Sequence, residues 1–333
     1  MTAVLEATDV RAYYRTRLGG EIRAVDGVSL TLCEGEVLGV AGESGCGKST
    51  LARALTNLFD PPLHRAGGHV TIEGDDLYAM DARRLRAEVL GRRISYIPQS
   101  AMNALNPTRK IGKFVRDVMK THFPRMGRRE VMARARERLR SLSLPERVLD
   151  GYPFMLSGGM QQRTVTMVST LLNPAVLIAD EPTSALDVST QKALVIMLKG
   201  LLERRIARSL MFITHDMATL RHICDRIAVM YAGEIVEMGT MEQVIFDPVH
   251  PYTRALLGSV LVPEPGIKGC RLPTVPGAPP DLGDLPPGCR FAPRCAEHNA
   301  DCRERHGDLK MVRGRLVRCP RLADAGKEGP AHG

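Results

Sequence analysis

Two groups of residues in this chain have the types and spacing to do chemistry on phosphate. The stretch GESGCGKST, Gly42–Thr50, fits G-x-x-x-x-G-K-[ST] and follows the apolar run EVLGVAG (36–42), which reads as a buried strand. Glycines let backbone N–H groups curl around phosphate oxygens without side-chain clash. Lys48 supplies a point charge to the same oxygens, and Ser49 can ligate Mg²⁺. A helix beginning near Lys48 aims its positive end at the anion. The pattern, carried by Gly42, Ser44, Gly45, Cys46, Gly47, Lys48, Ser49 and Thr50, predicts a nucleotide site. A second apolar run, AVLIAD (175–180), ends in Asp180, with Glu181 next. Beside a phosphate loop, this pair predicts a carboxylate holding Mg²⁺ through water and a base for the attacking water.

LSGGMQQR (156–163) places two glycines before a helical run, which makes a second anion-binding helix start. Two phosphate-binding surfaces too far apart to share one nucleotide suggest two chains sharing two nucleotides. Near the other end, Cys289, Cys295, Cys302 and Cys319 are separated by five, six and sixteen residues. Those intervals match neither paired C-x₂-C modules nor a ferredoxin run. From chemistry alone, four thiolates in a reducing compartment point to zinc or to an iron–sulfur cluster, and the residues leave that choice open. Cys33, Cys224 and Cys270 stand alone and read as packing or incidental thiols.

The elements that must hold these residues read as an α/β core. EVLGVAG, AVLIAD and LMFITH (210–215) are apolar runs ending in polar residues, and ligands gather outside the carboxyl ends of parallel strands. RAVDGVSLTL (23–32) and GHVTIEGDDL (68–77) alternate with period two, as antiparallel strands do. A mostly helical, Arg-rich insert runs from about 107 to 144. Between Thr108 and Arg147, thirteen Lys/Arg face four Asp/Glu, which accounts for the whole formal charge of +9. That stretch is either a solvated helical face or a surface for nucleic acid or anionic membrane. It lacks the interleaved aromatics of a single-strand stacking platform, which favours the solvated face. Nine of the 22 prolines fall between Pro263 and Pro293, too dense for a regular helix or central strand. No apolar run reaches the roughly 18–20 residues of a membrane span, and the first residues lack a signal-peptide pattern. The expected compartment is therefore the cytoplasm.

Taken together and in order, these motifs resemble the ATP-binding subunit of an ABC transporter over about residues 4–260. The resemblance implies a P-loop fold of ABC type, with an antiparallel β subdomain and a helical subdomain near 100–170. It makes 1–259 the ATPase domain and 260–333 a Pro-rich connector with a Cys-containing extension. It assigns adenine stacking to Tyr14 (or Tyr13), and Mg²⁺ contact and sensing of the membrane subunit to Gln99. Leu156, Ser157, Gly158, Gly159 and Gln161 become the signature that contacts a partner's γ-phosphate. Ser184, Ala185, Leu186 and Asp187 become the dimer-crossing loop, and His215 the switch histidine.

Within that superfamily, QSAMNALNP (99–107), DPVHPYTRALLGSV (247–260) and the cysteine tail resemble the oligopeptide/dipeptide/nickel importer group. GRRISYIPQ (91–99) resembles the D-type ATPase more than the F-type. The group often has serine where Cys46 stands, which would put a thiol beside the phosphates, open to alkylation or oxidation. The resemblance tips the four cysteines toward a four-iron, four-sulfur cluster, with zinc as the alternative. It implies ATP and Mg²⁺, a second and different ATPase chain, two membrane permeases, an extracytoplasmic solute-binding protein, and no direct nucleic acid. The expected location is the cytoplasmic face of the plasma membrane, and the expected solute a peptide. The rival reading is a non-transport ABC ATPase, such as a carbon–phosphorus lyase accessory or a nucleic-acid-associated relative.

Overall fold

The computed structural model describes residues 2–17, 19–99, 104–184, 186–259 and 275–322. Strands β1 (Ala3–Arg15) and β2 (Glu21–Cys33) pair antiparallel. Next, β3 (Val37–Ala41) runs into the glycine loop and helix α1 (Lys48–Leu55). Strands β4 (Leu63–Ile72) and β5 (Asp75–Asp76) return to the first pair, giving an antiparallel sheet ordered β2-β1-β4-β5. The period-two expectation for both segments is met.

A single turn, α2 (Ala82–Arg84), is capped by Asp81, and β6 (Ile94–Ile97) follows. Helices α3 (Ile111–His122), α4 (Arg128–Ser141) and α5 (Gly158–Ser169) form the helical region. The chain then alternates through β7 (Val176–Asp180), α6 (Val188–Glu203), β8 (Ser209–Ile213), α7 (Met217–Ile223) and β9 (Arg226–Tyr231). It continues with β10 (Glu234–Thr240), α8 (Met241–Phe246) and α9 (Pro251–Gly258). Past the proline-rich stretch lie α10 (Ala300–Glu304), β11 (Lys310–Val312) and β12 (Arg315–Val317).

The main sheet is ordered β11-β12-β10-β9-β3-β8-β7-β6. Its centre is parallel: β3 lies between β8 and β9, and β7 between β6 and β8. Strands covered on both faces lose their polar alternation, which explains the continuous apolar runs. In β8, Leu210 and Phe212 enter the core shared with the helical region. Their neighbours Met211 and Ile213 enter the core beneath the antiparallel sheet. The two cores thus clamp one sheet and fix where its carboxyl ends emerge.

The basic stretch forms the outer face of two amphipathic helices. Ile111, Val115 and Met119 of α3, and Val131, Ala135 and Leu139 of α4, recur every four residues and are buried together. The outward arginines of α4 pair locally, Arg134 with Glu130 and both Arg136 and Arg140 with Glu146. Among the described residues, no helix is long and apolar enough to cross a membrane.

Candidate nucleotide site and the cysteine corner

The glycine loop is shaped by contacts that admit no side chain. Gly42 (φ +151°) and Gly47 (φ +106°) would each drive a Cβ into a backbone carbonyl, 2.3 Å from Met230 O and 2.0 Å from Ala24 O respectively. Glycine at both positions lets the loop curl between β9 and β2 and release α1 at Lys48. Lys48 Nζ is drawn back over the loop, 2.8 Å from Gly42 O and 2.9 Å from Glu43 O.

A cleft of about 250 Å³ opens here, lined by Tyr14, Ile22, Ala24, Ser44, Gly45, Gly47, Lys48, Ser49, Thr50, Gln99, Glu181 and Leu282. The fold therefore brings together the phosphate loop, Tyr14, Gln99 and Glu181. Tyr14 is tethered by its hydroxyl to Thr50 Oγ1 at 3.1 Å, while neighbouring Tyr13 stacks on His64 instead. Ile22 and Leu282 carry no motif, and nothing in the sequence marked them as walls of this cleft.

Asp180 at the end of β7 is fully buried. Its Oδ2 accepts from Tyr96 Oη at 2.9 Å, while its Oδ1 has no hydrogen-bond partner. Burial pushes its pKa up, against the pull of the Ser49 and Tyr96 hydroxyls and the Lys48 charge. A buried carboxylate oxygen without a partner, close to the Ser49 hydroxyl, is what a hard cation would satisfy. These residues therefore fit Mg²⁺. Glu181 is buried beside the cleft, and both its carboxylate oxygens lie within 3.0 Å of His215 Nδ1.

Cys46 corrects an expectation. Its side chain is 5% exposed and points under the loop, and its Sγ lies 2.7 Å from where a Cβ on Gly42 would sit. Burial raises its pKa despite Lys48. The thiol faces the core, not the phosphates, so it is shielded from the alkylation or oxidation expected of it.

The signature residues do not line this cleft. Ser157 is exposed and caps α5, its Oγ accepting from Met160 N at 3.4 Å. Gly158 and Gly159 open that helix, Leu156 precedes the cap, and Gln161 Nε2 donates to Pro153 O at 2.8 Å. In the loop after β7, Ser184 Oγ donates to Glu181 O at 2.8 Å. Leu186 O accepts from Gln191, and Asp187 caps α6. The Ser189 and Thr190 hydroxyls hold the Asp187 carboxyl well below the usual range. Ala185 lies outside the described residues, as does Cys270.

The C-terminal segment packs onto the back of this site. Phe291 is buried against Tyr231, Tyr252 and His250. Arg290 donates to Ala232 O at 2.6 Å and reaches Asp26 and Glu234. Strand β12 pairs with β10, so the extension's hairpin completes the main sheet. The HPYT segment is explained structurally: buried Glu237 accepts from Val249 N and His250 N, and His250 Nδ1 accepts from Tyr252 N as the cap of α9.

The four clustered cysteines meet in one corner. Cys289 N donates to Cys302 O at 2.8 Å, and Cys319 packs with Val249 and Val317. Burial pushes the Cys289 thiol up to about 11 and also raises Cys295 and Cys319, with Cys302 adding like-charge repulsion at each. Four soft donors in a buried corner have the chemistry of a soft-metal or cluster site. Even so, among the described residues no three His, Cys, Asp or Glu close into the ligand set of a metal ion. Cys224 is buried against Gly39, and Cys33 is half-buried at the end of β2.

A parallel sheet delivering a glycine loop, an aspartate with one unpartnered oxygen and a histidine-bound glutamate to one site defines a P-loop nucleotide-hydrolysing enzyme. Residues 25–184 match the family described as "ABC transporter". Residues 236–302 match "Oligopeptide/dipeptide transporter, C-terminal region". The dipeptide transport ATP-binding protein DppD of Caldanaerobacter subterraneus is 40% identical, covering 89% of this chain and 89% of the relative. OppD of Bacillus subtilis is 40% identical over 88% of this chain and 82% of its own. OppF of Escherichia coli is 39% identical over 90% of each. Among solved structures, a dimeric ATP-binding cassette in a post-hydrolysis state with ADP and Pi superposes with a TM-score of 0.63 at 28% identity. That match covers 71% of this chain and 98% of the cassette. The chain belongs to the ABC transporter family, and it is an ATPase.

Proposed function

We propose that this chain is the ATP-hydrolysing motor of an importer for di- or oligopeptides, held peripherally at the cytoplasmic face of the plasma membrane. The observation that carries the reading is the pairing of a complete hydrolytic cleft with a signature helix outside it, in a chain that continues into the oligopeptide/dipeptide C-terminal region. Its 39–40% relatives bear both D and F names, so the D-type assignment rests on the GRRISYIPQ stretch. The division at 259/260 is part of the same proposal.

In this reading, the glycine loop and Lys48 grip the phosphates and Tyr14 covers the base. Ser49, Asp180 and Gln99 would hold Mg²⁺, which would supply charge neutralisation at the phosphates. Glu181 takes a proton from the attacking water, and His215 holds Glu181 in place. Leu156, Ser157, Gly158, Gly159 and Gln161 close over the nucleotide of a second, different ATPase chain, beside the loop Ser184–Asp187. Nucleotide then binds the closed pair better than the open one, and moving such a balance from 1:99 to 99:1 takes about 5.5 kcal/mol. Closure is passed to two permeases that receive peptide from an extracytoplasmic binding protein.

The test is mild-detergent purification from the native membrane, followed by ATPase assay with the peptide-loaded binding protein. Two polytopic membrane proteins should co-purify, and peptide should stimulate turnover. Salt-sensitive nucleic-acid binding with no membrane partner would replace this reading with the non-transport one.

For the cysteine corner, we infer a four-iron, four-sulfur cluster on Cys289, Cys295, Cys302 and Cys319, with zinc as the alternative. The support is the convergence of three buried thiols, Cys295, Cys302 and Cys319, with half-buried Cys289 in a segment with a small core of its own. Anaerobic preparation should give iron and sulfide in equal amounts and absorption near 400 nm. Zinc, or neither metal, would refute the cluster.

A further inference from the structure

Glu43 is an unexpected residue in a loop built to hold polyphosphate, because its carboxylate would repel the ligand. The structure disarms it. Arg294, from the cysteine-bearing segment, forks onto both carboxylate oxygens, Nη1 to Oε2 at 2.6 Å and Nη2 to Oε1 at 2.9 Å. The guanidinium is almost fully enclosed, with 5% of its side chain exposed, and it is locked from behind by Pro276 O at 2.6 Å and Tyr231 Oη at 3.3 Å. The backbone of Glu43 is held as well. Its N–H donates to Tyr252 Oη at 2.9 Å, and its carbonyl accepts from Lys48 Nζ at 2.9 Å. Both groups restraining Glu43 from behind, Tyr252 and Arg294, come from the C-terminal region, 209 and 251 positions away.

We infer that Arg294 is a positioning residue of the nucleotide site. Acting through Glu43, it neutralises and turns aside a carboxylate that would otherwise oppose the phosphates. The bidentate geometry suits the task, since a planar fork both cancels charge and fixes direction. A lysine would cancel charge without fixing direction. The cysteine-bearing segment therefore contributes to nucleotide affinity without touching the phosphates. Leu282, from the same segment, adds a wall to the cleft.

The inference presupposes only nucleotide binding at the phosphate loop, and independently of peptide import. The experiment titrates a fluorescent ATP analogue with Mg²⁺ into the full chain and its variants, with circular dichroism verifying the fold. Failure of the wild-type chain to bind would overturn the nucleotide-site reading itself. Arg294→Ala is expected to weaken binding about tenfold, the scale of one uncompensated charge near phosphate at intermediate dielectric. Adding Glu43→Gln removes that charge and should restore affinity to within about threefold of wild type, by the same reasoning. A purely structural arginine would show no such rescue. Unchanged affinity in Arg294→Ala, or a double variant as weak as the single, would overturn the inference. If Arg294→Ala does not fold, Arg294→Lys takes its place. It should weaken binding less, and Glu43→Gln must again relieve the loss for the inference to stand.

Discussion

His215 Nδ1 stands 3.0 Å from Oε1 and 2.9 Å from Oε2 of Glu181, so one imidazole spans both oxygens of a buried carboxylate. Glu181 itself adopts φ +47°, and its amide is pinned to Ile213 O at 2.8 Å. A non-glycine residue in this left-handed region carries strain of about 1–3 kcal/mol, which the surrounding strand ends must over-determine. The strained turn sets Glu181 at the carboxyl end of β7, beside Lys48 and Ser49 rather than following the strand out.

Glu181→Gln keeps the shape of the side chain and removes the base. It is expected to lower ATP turnover by about 10²–10⁴-fold, the usual range for a positioned general base. Nucleotide affinity should be retained, because no phosphate-loop contact changes. Single-turnover hydrolysis and equilibrium binding, measured on the same preparation, separate the two effects. A variant that still turns over at the wild-type rate would remove Glu181 from the base role.

Cys46 should resist modification in the native chain. Its thiol is enclosed beneath the loop, and its pKa is raised by burial, so little thiolate is presented to a reagent. Half-buried Cys33 offers an easier target. Treatment with N-ethylmaleimide followed by peptide mass spectrometry is expected to find Cys33 labelled well before Cys46, with ATPase activity intact. Early labelling of Cys46 together with loss of activity would show that the loop opens far more than its packing implies.

The parts of this molecule that were legible in the sequence are those written by local chemistry. EVLGVAG, AVLIAD and LMFITH read as buried strands because the sheet is covered on both faces and each strand needs apolar residues on both. The helical character of the Arg-rich insert was legible for the opposite reason, because one face of α3 and of α4 meets water, while the stripes that bury their other faces emerge only in the structure. What stayed hidden depends on segments far apart in the chain. Nothing near Glu43 announces that Arg294 and Tyr252 will grip it, and nothing near Tyr14 announces Leu282. The sequence misdirects the Cys46 side chain because the curl of the loop, set by Gly42 against Met230 O, turns that position inward. HPYT reads as a family mark, yet its physical work, capping α9 and holding the Glu43 amide, depends on the tertiary structure.

His250 gives the chain a sensitivity to acid. It is completely enclosed, and its pKa is lowered to about 3, mainly by burial with Arg254 adding, while the Arg318 backbone and Glu297 pull the other way. The unfolded chain takes up a proton here near 6.5, whereas the folded chain takes up none until about 3. The unfolded state therefore binds more protons in that window. This site costs stability as pH falls from 6.5 toward 3, at up to about 1.4 kcal/mol per pH unit, and has no pH-dependent effect above 6.5. His250→Asn puts an amide oxygen in place of Nδ1 as acceptor for the Tyr252 amide and removes the titration. Urea unfolding at several pH values is expected to show a shallower acid loss for this variant than for wild type. Parallel curves for the two chains would mean that His250 protonates without unfolding.

Phe291 ties the cysteine-bearing segment to the motor. Its ring meets Tyr231 at 5.2 Å and Tyr252 at 5.3 Å, between centroids, and it is flanked in sequence by Arg290 and, three residues on, Arg294. Removing the ring would leave a cavity among aromatic side chains that cannot collapse without moving β9 or α9. Phe291→Ala is therefore expected to cost about 3–5 kcal/mol. Since β12 is hydrogen-bonded into the main sheet, the loss should appear as one lowered denaturation midpoint for the whole chain, not as an early separate step. Circular dichroism and the reactivity of the Cys295, Cys302 and Cys319 thiols toward a thiol reagent, followed through the same guanidinium titration, should shift together. If the second signal rises well before the first falls, the segment unfolds on its own, and Phe291 is packing within an appendage rather than joining it to the sheet.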